Sequence, residues 1–284
     1  MPDPDNLAAR RLLITGATGG MGSTCALLAS ARGYQLVLAD LSAAKLEALA
    51  SRCREQASAV ECHVLNVTSA DSISELAIAV QGSGGIDALI HTVGISPQMA
   101  GWEKIIDVDL IGTTAFLQAV KPSLKAGGCA LVITSMSAHM VPANETIDAI
   151  LADPLAPGLM EQLKALSSPV LAHSGMAYAY AKKALKNYVA DQAYVWGREG
   201  KRLVSLSPGL IDTEMGRLEN AAMDNFDGMR SLIALERLGA PEDIASTALF
   251  LVSEAAAYIT GCDILVDGGF VAAFNARQRP TAAS

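Results

Sequence analysis

Apolar positions along the chain alternate between two rhythms. Short aliphatic and β-branched runs occur at Arg11–Thr15, Gln35–Ala39, Val60–Leu65, Ala88–Val93, Ala130–Thr134, Leu203–Leu206 and Asp263–Val266. The first, fourth and fifth are nearly continuously apolar, as a strand covered on both faces of a parallel sheet must be. Between the runs, positions recur at helical spacing: Leu46, Leu49 and Cys53; Leu185, Val189, Gln192 and Trp196; Ile244, Ala248 and Leu251. Pro241-Glu242-Asp243 predicts a helix start, because proline fits the first helical position and acids suit the positive helix end. Repeated β-α-β order predicts an α/β, doubly wound fold with right-handed crossovers. No linker or internal repeat divides the chain, so residues 1–284 are read as one domain.

Two stretches break the rhythm. Ser137–Gly175 carries Pro142, Pro154, Pro157 and Pro169, with a short helical pattern near Leu159–Leu166. Leu210–Leu238 is rich in Met, Asn and Asp. Both are expected to leave the sheet as excursions. Residues 271–284, with Arg277-Gln278-Arg279-Pro280, are expected to form a tail.

Composition narrows the function classes. Hydrophobic residues make up 51% and charged residues only 18%, which excludes wholesale disorder and implies extensive buried surface. A net charge of −8 repels phosphate backbones, so nucleic acid is a poor partner. The five cysteines, Cys25, Cys53, Cys62, Cys129 and Cys262, are scattered without a C-x-x-C pair and read as small buried apolar side chains. An acidic start without an apolar signal core, and no disulfide framework, point to a cytoplasmic protein. No apolar run reaches the ~18 residues of a membrane span.

The first strand runs into Gly16-Ala17-Thr18-Gly19-Gly20-Met21-Gly22 and then into a helical pattern at Ser23–Ala31. Glycines there permit a tight turn, close approach of a pyrophosphate, and close helix–strand contact, while the helix N-terminus offers free N–H groups. Asp40 ends the second strand, where a carboxylate accepts from ribose hydroxyls and repels a 2′-phosphate. No Arg or Lys stands at Gly19 or Leu41 to answer that phosphate, so NAD is favoured over NADP. Alternatively, Asp40 caps the helix over Ser42–Ala50.

Tyr178 and Lys182 are four residues apart. On a helix they share a face, and the ammonium favours the phenolate of a group whose free pKa is about 10. Tyr180 competes as a candidate but meets Ala184 at the same offset. Ser135 ends the fifth run, at the strand edge that faces the ligand crevice of doubly wound sheets, and Ser137 is a nearby decoy.

Together these features resemble the classical short-chain dehydrogenase/reductase family, from about Arg10 to Gly269. The motifs are T-G-x-x-x-G-x-G at Thr15–Gly22, Asp40, Ser135, Tyr178, Lys182, Pro208-Gly209 with Thr213, and Ile259-Thr260-Gly261 ahead of Val266-Asp267-Gly268-Gly269. The resemblance implies a single Rossmann domain with a seven-stranded parallel sheet and reversible hydride transfer between a nicotinamide cofactor and alcohols or carbonyls. It implies that Tyr178 is the acid/base, that Lys182 lowers its pKa and holds the nicotinamide ribose, and that Ser135 orients the substrate oxygen. Cofactor binding falls to Gly16, Thr18, Gly20, Met21, Gly22, Asp40, Asn66, Val67, Gly94, Pro208, Gly209, Ile211 and Thr213, with Tyr178 and Lys182.

Several positions depart from that pattern. Asp109 stands where the family usually has the Asn of a proton relay, and its charge either alters the phenol through Lys182 or serves a local cap or pair. Asn66-Val67 replaces the usual Asp-Val that reads adenine, with the Asn carbonyl oxygen as the expected acceptor. The usual N-N-A-G reads His91-Thr92-Val93-Gly94, with His91 expected to stabilise the sheet. His63, His139 and His173 lack metal-ligand spacing, so no metal is expected, though His139 and His173 are placed to touch substrate.

Between Ser135 and Tyr178 lies a 42-residue insertion, Met136–Ala177, resembling that of bacterial hydroxysteroid dehydrogenase/carbonyl reductases. It is read either as a pocket wall or as a cover on the helical subunit interface. The lid, within 210–238, offers Met215, Met223, Phe226 and Met229 to a bulky apolar substrate. The expected function is NAD-dependent interconversion of a secondary alcohol, such as a hydroxysteroid or cyclic alcohol, and its ketone. A nucleotide-binding scaffold with lost catalysis is the alternative, and enoyl reduction is disfavoured by the Tyr–Lys spacing. The resemblance also implies a homodimer or homotetramer.

Overall fold

The computed structural model describes residues 10–278 except 58 and 222–224. Seven strands form one parallel sheet: β1 Arg11–Thr15, β2 Gln35–Asp40, β3 Ala59–Val64, β4 Ile86–His91, β5 Leu124–Ile133, β6 Arg202–Pro208 and β7 Asp263–Val266. Their order is β3-β2-β1-β4-β5-β6-β7. Each expected run is a strand, and the fold is the Rossmann-like architecture the sequence predicts. β1, β2, β4 and β6 are buried along most of their length, and β5 from Gly128 onward, because helices cover both faces, whereas β3 and β7 lie at the edges and are more exposed. The chain reverses its winding between β1 and β4, which opens a crevice at the carboxyl ends of the strands.

The helices are α1 Gly20–Ala31, α2 Ala43–Cys53, α3 Ala70–Gly82, α4 Trp102–Ile106, α5 Thr113–Val120, α6 Glu145–Leu151, α7 Leu159–Leu166, α8 Pro169–Ala172, α9 Ser174–Arg198, α10 Glu214–Ala221, α11 Phe226–Arg230, α12 Pro241–Leu251 and α13 Phe270–Gln278. One core layer packs α1, α2 and α12 on the sheet. The other packs α3, α5 and α9. Cys25, Cys53 and Cys129 are buried as expected, but Cys62 is half-buried and Cys262 exposed. Burial pushes the Cys25 and Cys129 thiols up to about 12, so they remain neutral.

The insertion folds as α6, α7 and α8 and joins the α9 side of the core through Ile147, Leu151, Leu159, Leu163 and Leu171. Lys183 on α9 pairs with Asp148 at 2.7 Å. Tyr180 donates to the Pro142 carbonyl at 3.0 Å, and burial raises its phenol, so its hydroxyl is occupied away from the cleft.

The expected tail is otherwise. Residues 270–278 form α13, and Phe270 and Val271 are buried with Met136, Leu210, Leu232 and Ile233. Phe270 also stacks on Phe274 one turn later, so the segment has an apolar face that the polar Arg277-Gln278 end concealed. The rest of the predicted tail lies outside the described residues.

Leu163→Ala should lower unfolding free energy by about 2–4 kcal/mol, as a buried leucine truncation does. Leu155→Ala, in the same insertion but exposed, should change it by less than about 0.5 kcal/mol. Urea unfolding of both variants measures the difference.

Candidate active site

The glycine loop leaves β1 and turns at Gly16, whose φ of 70° suits a residue without a Cβ. A Cβ there would stand 2.8 Å from the Thr92 backbone. Thr92 braces the loop, donating from Oγ1 to the carbonyls of Thr15 and Gly16. Helix α1 then starts with no side-chain cap and no acid in its first turn, leaving its N–H groups to an anionic ligand. Across the opening, a Cβ on Gly20 would meet Thr213 Cγ2 at 2.9 Å, so the loop and the lid's first residues close on each other. These clearances fit a pyrophosphate laid against bare backbone.

Asp40 sits at the end of β2. Its Oδ2 accepts the Thr18 N–H at 2.8 Å and its Oδ1 accepts the Leu41 N–H at 2.7 Å. The cap of α2 is Ser42 instead, which accepts from Lys45 N–H, so the capping alternative for Asp40 does not hold. Asn66 differs from expectation. Its Oδ1 already accepts from the Thr68 N–H and hydroxyl, forming a local turn, so that oxygen is not the acceptor for adenine. Val67 comes next, with its carbonyl against Gly112.

A cleft of about 790 Å³, open mouth included, is lined by Ser135, Tyr178 and Lys182 together with Gly20, Met21, Gly22, Gly94, Pro208, Gly209, Ile211 and Thr213. Gly16, Thr18, Asp40, Asn66, Val67 and Asp109 lie outside that lining. Val93, Ile95, Thr134 and Met215 also line it, and sequence reasoning did not place the first three there. An apolar residue at a strand end carries no sign of which side of the crevice it faces. No residue of 136–177 lines this cleft among the described residues.

Tyr178 and Lys182 lie one turn apart on α9, the ammonium 5.5 Å from the phenol ring centroid. Lys182 is 3% exposed and donates to the Ile133 carbonyl at 3.4 Å. Ser135 lies two residues past the end of β5 and caps the turn Met136–His139; its Oγ accepts from Ser137 N–H at 3.2 Å and from Ser137 Oγ–H at 3.0 Å. Ser137, the sequence decoy, is therefore a partner of Ser135.

Asp109 enters from the π-helical turn Asp107–Gly112 between α4 and α5. It is fully buried; Oδ1 accepts the Ile95 N–H at 2.8 Å, and Oδ2 has no partner. A Cβ on Gly94 would stand 3.2 Å from both Asp109 Oδ1 and Lys182 Nζ, so the bare backbone there separates the two charged groups. Burial pushes the Asp109 carboxyl up to about 6, with the Lys182 charge and the Ile95 N–H pulling the other way. His91 bonds Thr15 and Thr113 hydroxyls and stacks on Phe116; burial holds it down to about 3, a neutral sheet brace as expected. His139 faces Asp263 rather than the cleft. Among the described residues no three His, Cys, Asp or Glu side chains gather as a metal site would.

A bare glycine loop at a helix start, opposite a serine, a phenol and a buried ammonium, defines a dinucleotide-dependent oxidoreductase. The family model described as enoyl-(acyl carrier protein) reductase matches residues 16–150 and 162–271, and the unmatched gap falls inside the insertion. The chain belongs to the short-chain dehydrogenase/reductase family. It is 30% identical over 281 residues to the 3-alpha-hydroxysteroid dehydrogenase/carbonyl reductase of Comamonas testosteroni, covering 95% of this chain and 98% of that one. It is 29% identical over 269 residues to the D-threitol dehydrogenase of Mycolicibacterium smegmatis, covering 91% of each. The crystal structure of a short-chain type dehydrogenase/reductase from Mycobacterium marinum superposes with a TM-score of 0.75 at 25% identity, over 94% of this chain and 98% of that chain.

Asp109 supplies a pH prediction. A carboxyl whose folded pKa is raised favours the protonated form, so its burial begins to cost stability as pH rises above the ordinary 3.8 and costs it in full above about 6. That cost is relieved as pH falls from about 6 toward the ordinary 3.8. Asp109→Asn should therefore be more stable than the parent by about 1–3 kcal/mol at pH 8, with the gap closing by pH 4. Denaturant midpoints at the two pH values measure it.

Proposed function

We propose that this protein is an NAD-dependent oxidoreductase that interconverts a secondary alcohol and its ketone, with a bulky apolar substrate such as a hydroxysteroid or cyclic alcohol. The observation that carries the reading is the meeting of Ser135, Tyr178 and Lys182 on the cleft that also holds Gly20 and Thr213. Bound dinucleotide would supply the hydride acceptor or donor. Gly16, Thr18, Gly20, Met21 and Gly22 would cradle its pyrophosphate. Asp40 would take the ribose hydroxyls, with Asn66 and Val67 near adenine. Gly94, Pro208, Gly209, Ile211 and Thr213 would border the nicotinamide half.

In alcohol oxidation, Tyr178 accepts the hydroxyl proton and Ser135 donates a hydrogen bond to the same oxygen. Lys182 stabilises the phenolate through charge. In ketone reduction, the phenol returns the proton to the oxygen that Ser135 polarises. Asp109 modulates the pair: ionised, it offsets part of the lysine charge and weakens the pull on the phenol; protonated, it does not. The two short-chain relatives named above, a hydroxysteroid dehydrogenase/carbonyl reductase and a polyol dehydrogenase, support carbonyl and alcohol chemistry. Asp40 without a basic neighbour at Gly19 or Leu41 supports NAD. The apolar substrate reading is supported by Met215 and Ile95 on the cleft. Met223 lies outside the described residues, and Phe226 and Met229 pack on the α13 cluster instead. We place the enzyme in the cytoplasm as a homodimer or homotetramer; exposed Phe250 on α12 and Leu265 on edge strand β7 offer apolar contact.

Absorbance at the reduced-nicotinamide band, with a panel of hydroxysteroids, cyclic alcohols, diketones and an enoyl thioester, tests the reading. Turnover of an alcohol or ketone is expected; saturable NAD binding with no turnover of any of them counts against it. Tyr178→Phe should lower turnover by about 10²–10⁴-fold while NAD binding persists. Asp40→Ala should raise kcat/KM with NADP relative to NAD, and an unchanged ratio removes Asp40 from cofactor choice.

A further inference from the structure

Asp263 begins β7, at the sheet edge, yet its side chain is only 7% exposed. Its Oδ1 accepts from Thr134 Oγ1 at 2.8 Å and from Ser205 Oγ at 2.6 Å. Its Oδ2 accepts from His139 Nε2 at 2.8 Å. The one Thr134 hydroxyl proton is shared between Asp263 Oδ1 and the Leu206 carbonyl at 3.0 Å, both of which only accept, so Thr134 takes its own hydrogen bond from Ser207 Oγ at 2.8 Å. Thr134 directly precedes Ser135, and His139 comes four residues after it on the short turn Met136–His139. One carboxylate thus grips the chain on both sides of the cleft serine. The set is not a nucleophilic triad. Asp263 and Ser207 meet the same imidazole nitrogen, and Ser207 is fully buried, so no proton path runs from serine through the ring.

The gripped turn places Ser137 against Ser135. Both Ser137 groups donate to Ser135 Oγ, so the acceptor sites of that oxygen are taken and its own proton is left to point elsewhere. We infer that Asp263 and Ser137 are positioning residues: Asp263 fixes the turn, and Ser137 makes Ser135 a one-way hydrogen-bond donor toward the substrate oxygen. This rests on the reading that Ser135 bonds that oxygen. Neither residue touches substrate; both act through Ser135.

The test is a mutant cycle on NADH-dependent reduction of cyclohexanedione. Ser137→Ala should lower kcat about tenfold, the scale of one hydrogen bond, with the NADH dissociation constant unchanged, and Ser137→Thr should restore most of it. In a Ser135→Ala background Ser137→Ala should have no further effect. An equal effect in both backgrounds, or none where Ser135→Ala abolishes turnover, overturns the inference and leaves the proposed function standing. If Ser135→Ala itself leaves kcat unchanged, the role of Ser135 in the proposed function falls, and the inference with it. A second readout needs no substrate. Asp263→Ala should speed amide hydrogen exchange at Ser137 by at least about tenfold while the β1 amides keep their protection. Unchanged exchange at Ser137 overturns the part assigned to Asp263.

Discussion

A buried ammonium must find oxygen atoms or lose its charge, and that requirement ties the centre of this protein together. Lys182 meets it with the Ile133 carbonyl at the end of β5 and the Tyr178 ring one turn back on α9, while the Asp109 carboxyl from the π-turn acts on it through charge and makes no ion pair with it. Moving either of the first two leaves the cation short of a partner. The π-turn matters here because its extra residue rotates the downstream side chains by ~100° relative to a regular helix, changing which of them faces inward. Gly94 matters because a methyl group at its Cβ position would press on both charged groups.

Much of this was legible in the chain. All seven strands were, the inner ones because parallel strands covered on both faces are apolar whatever lies above them and the edge strands β3 and β7 as short β-branched runs, and so were the glycine loop and the Tyr178–Lys182 spacing. The features that were not legible depended on partners distant in sequence. The segment after Phe270 reads as polar at its end, yet its apolar start is buried by Met136 and Leu232, which no local pattern announces. Asn66 looks like a ligand residue, but its carbonyl serves the turn at Thr68. Ser137 reads as a decoy and His139 as a substrate contact because Asp263, which bonds His139, stands 124 residues beyond it.

The two excursions do different physical work. The insertion contributes five buried Ile and Leu side chains to the α9 layer and none to the described cleft lining. Its effect on the site is indirect: it covers the outer side of the helix that carries Tyr178 and Lys182, and it occupies the competing phenol of Tyr180. The lid divides as well. Met215 faces the cleft, while Phe226 and Met229 join the cluster over α13. The proposed apolar substrate would therefore meet fewer of the lid's side chains than its composition suggests.

Lys182 and Asp263 bear on the Ser135 strand end from opposite directions. Sheet order sets β5 between β4 and β6, so one charge reaches it from α9 above the sheet and the other from the far edge through β6. A carboxylate at an edge strand would ordinarily turn to water. Here three donors compensate its burial, and the loss of any one would leave a lone pair unmet. The Ser135 hydroxyl is consequently held by contacts on the sheet and its turn, none of which comes from the lid. Side chains of the 210–238 segment can then change while the position of the Ser135 oxygen stays fixed, so that under the proposed function the choice of substrate would be separate from the placing of its oxygen.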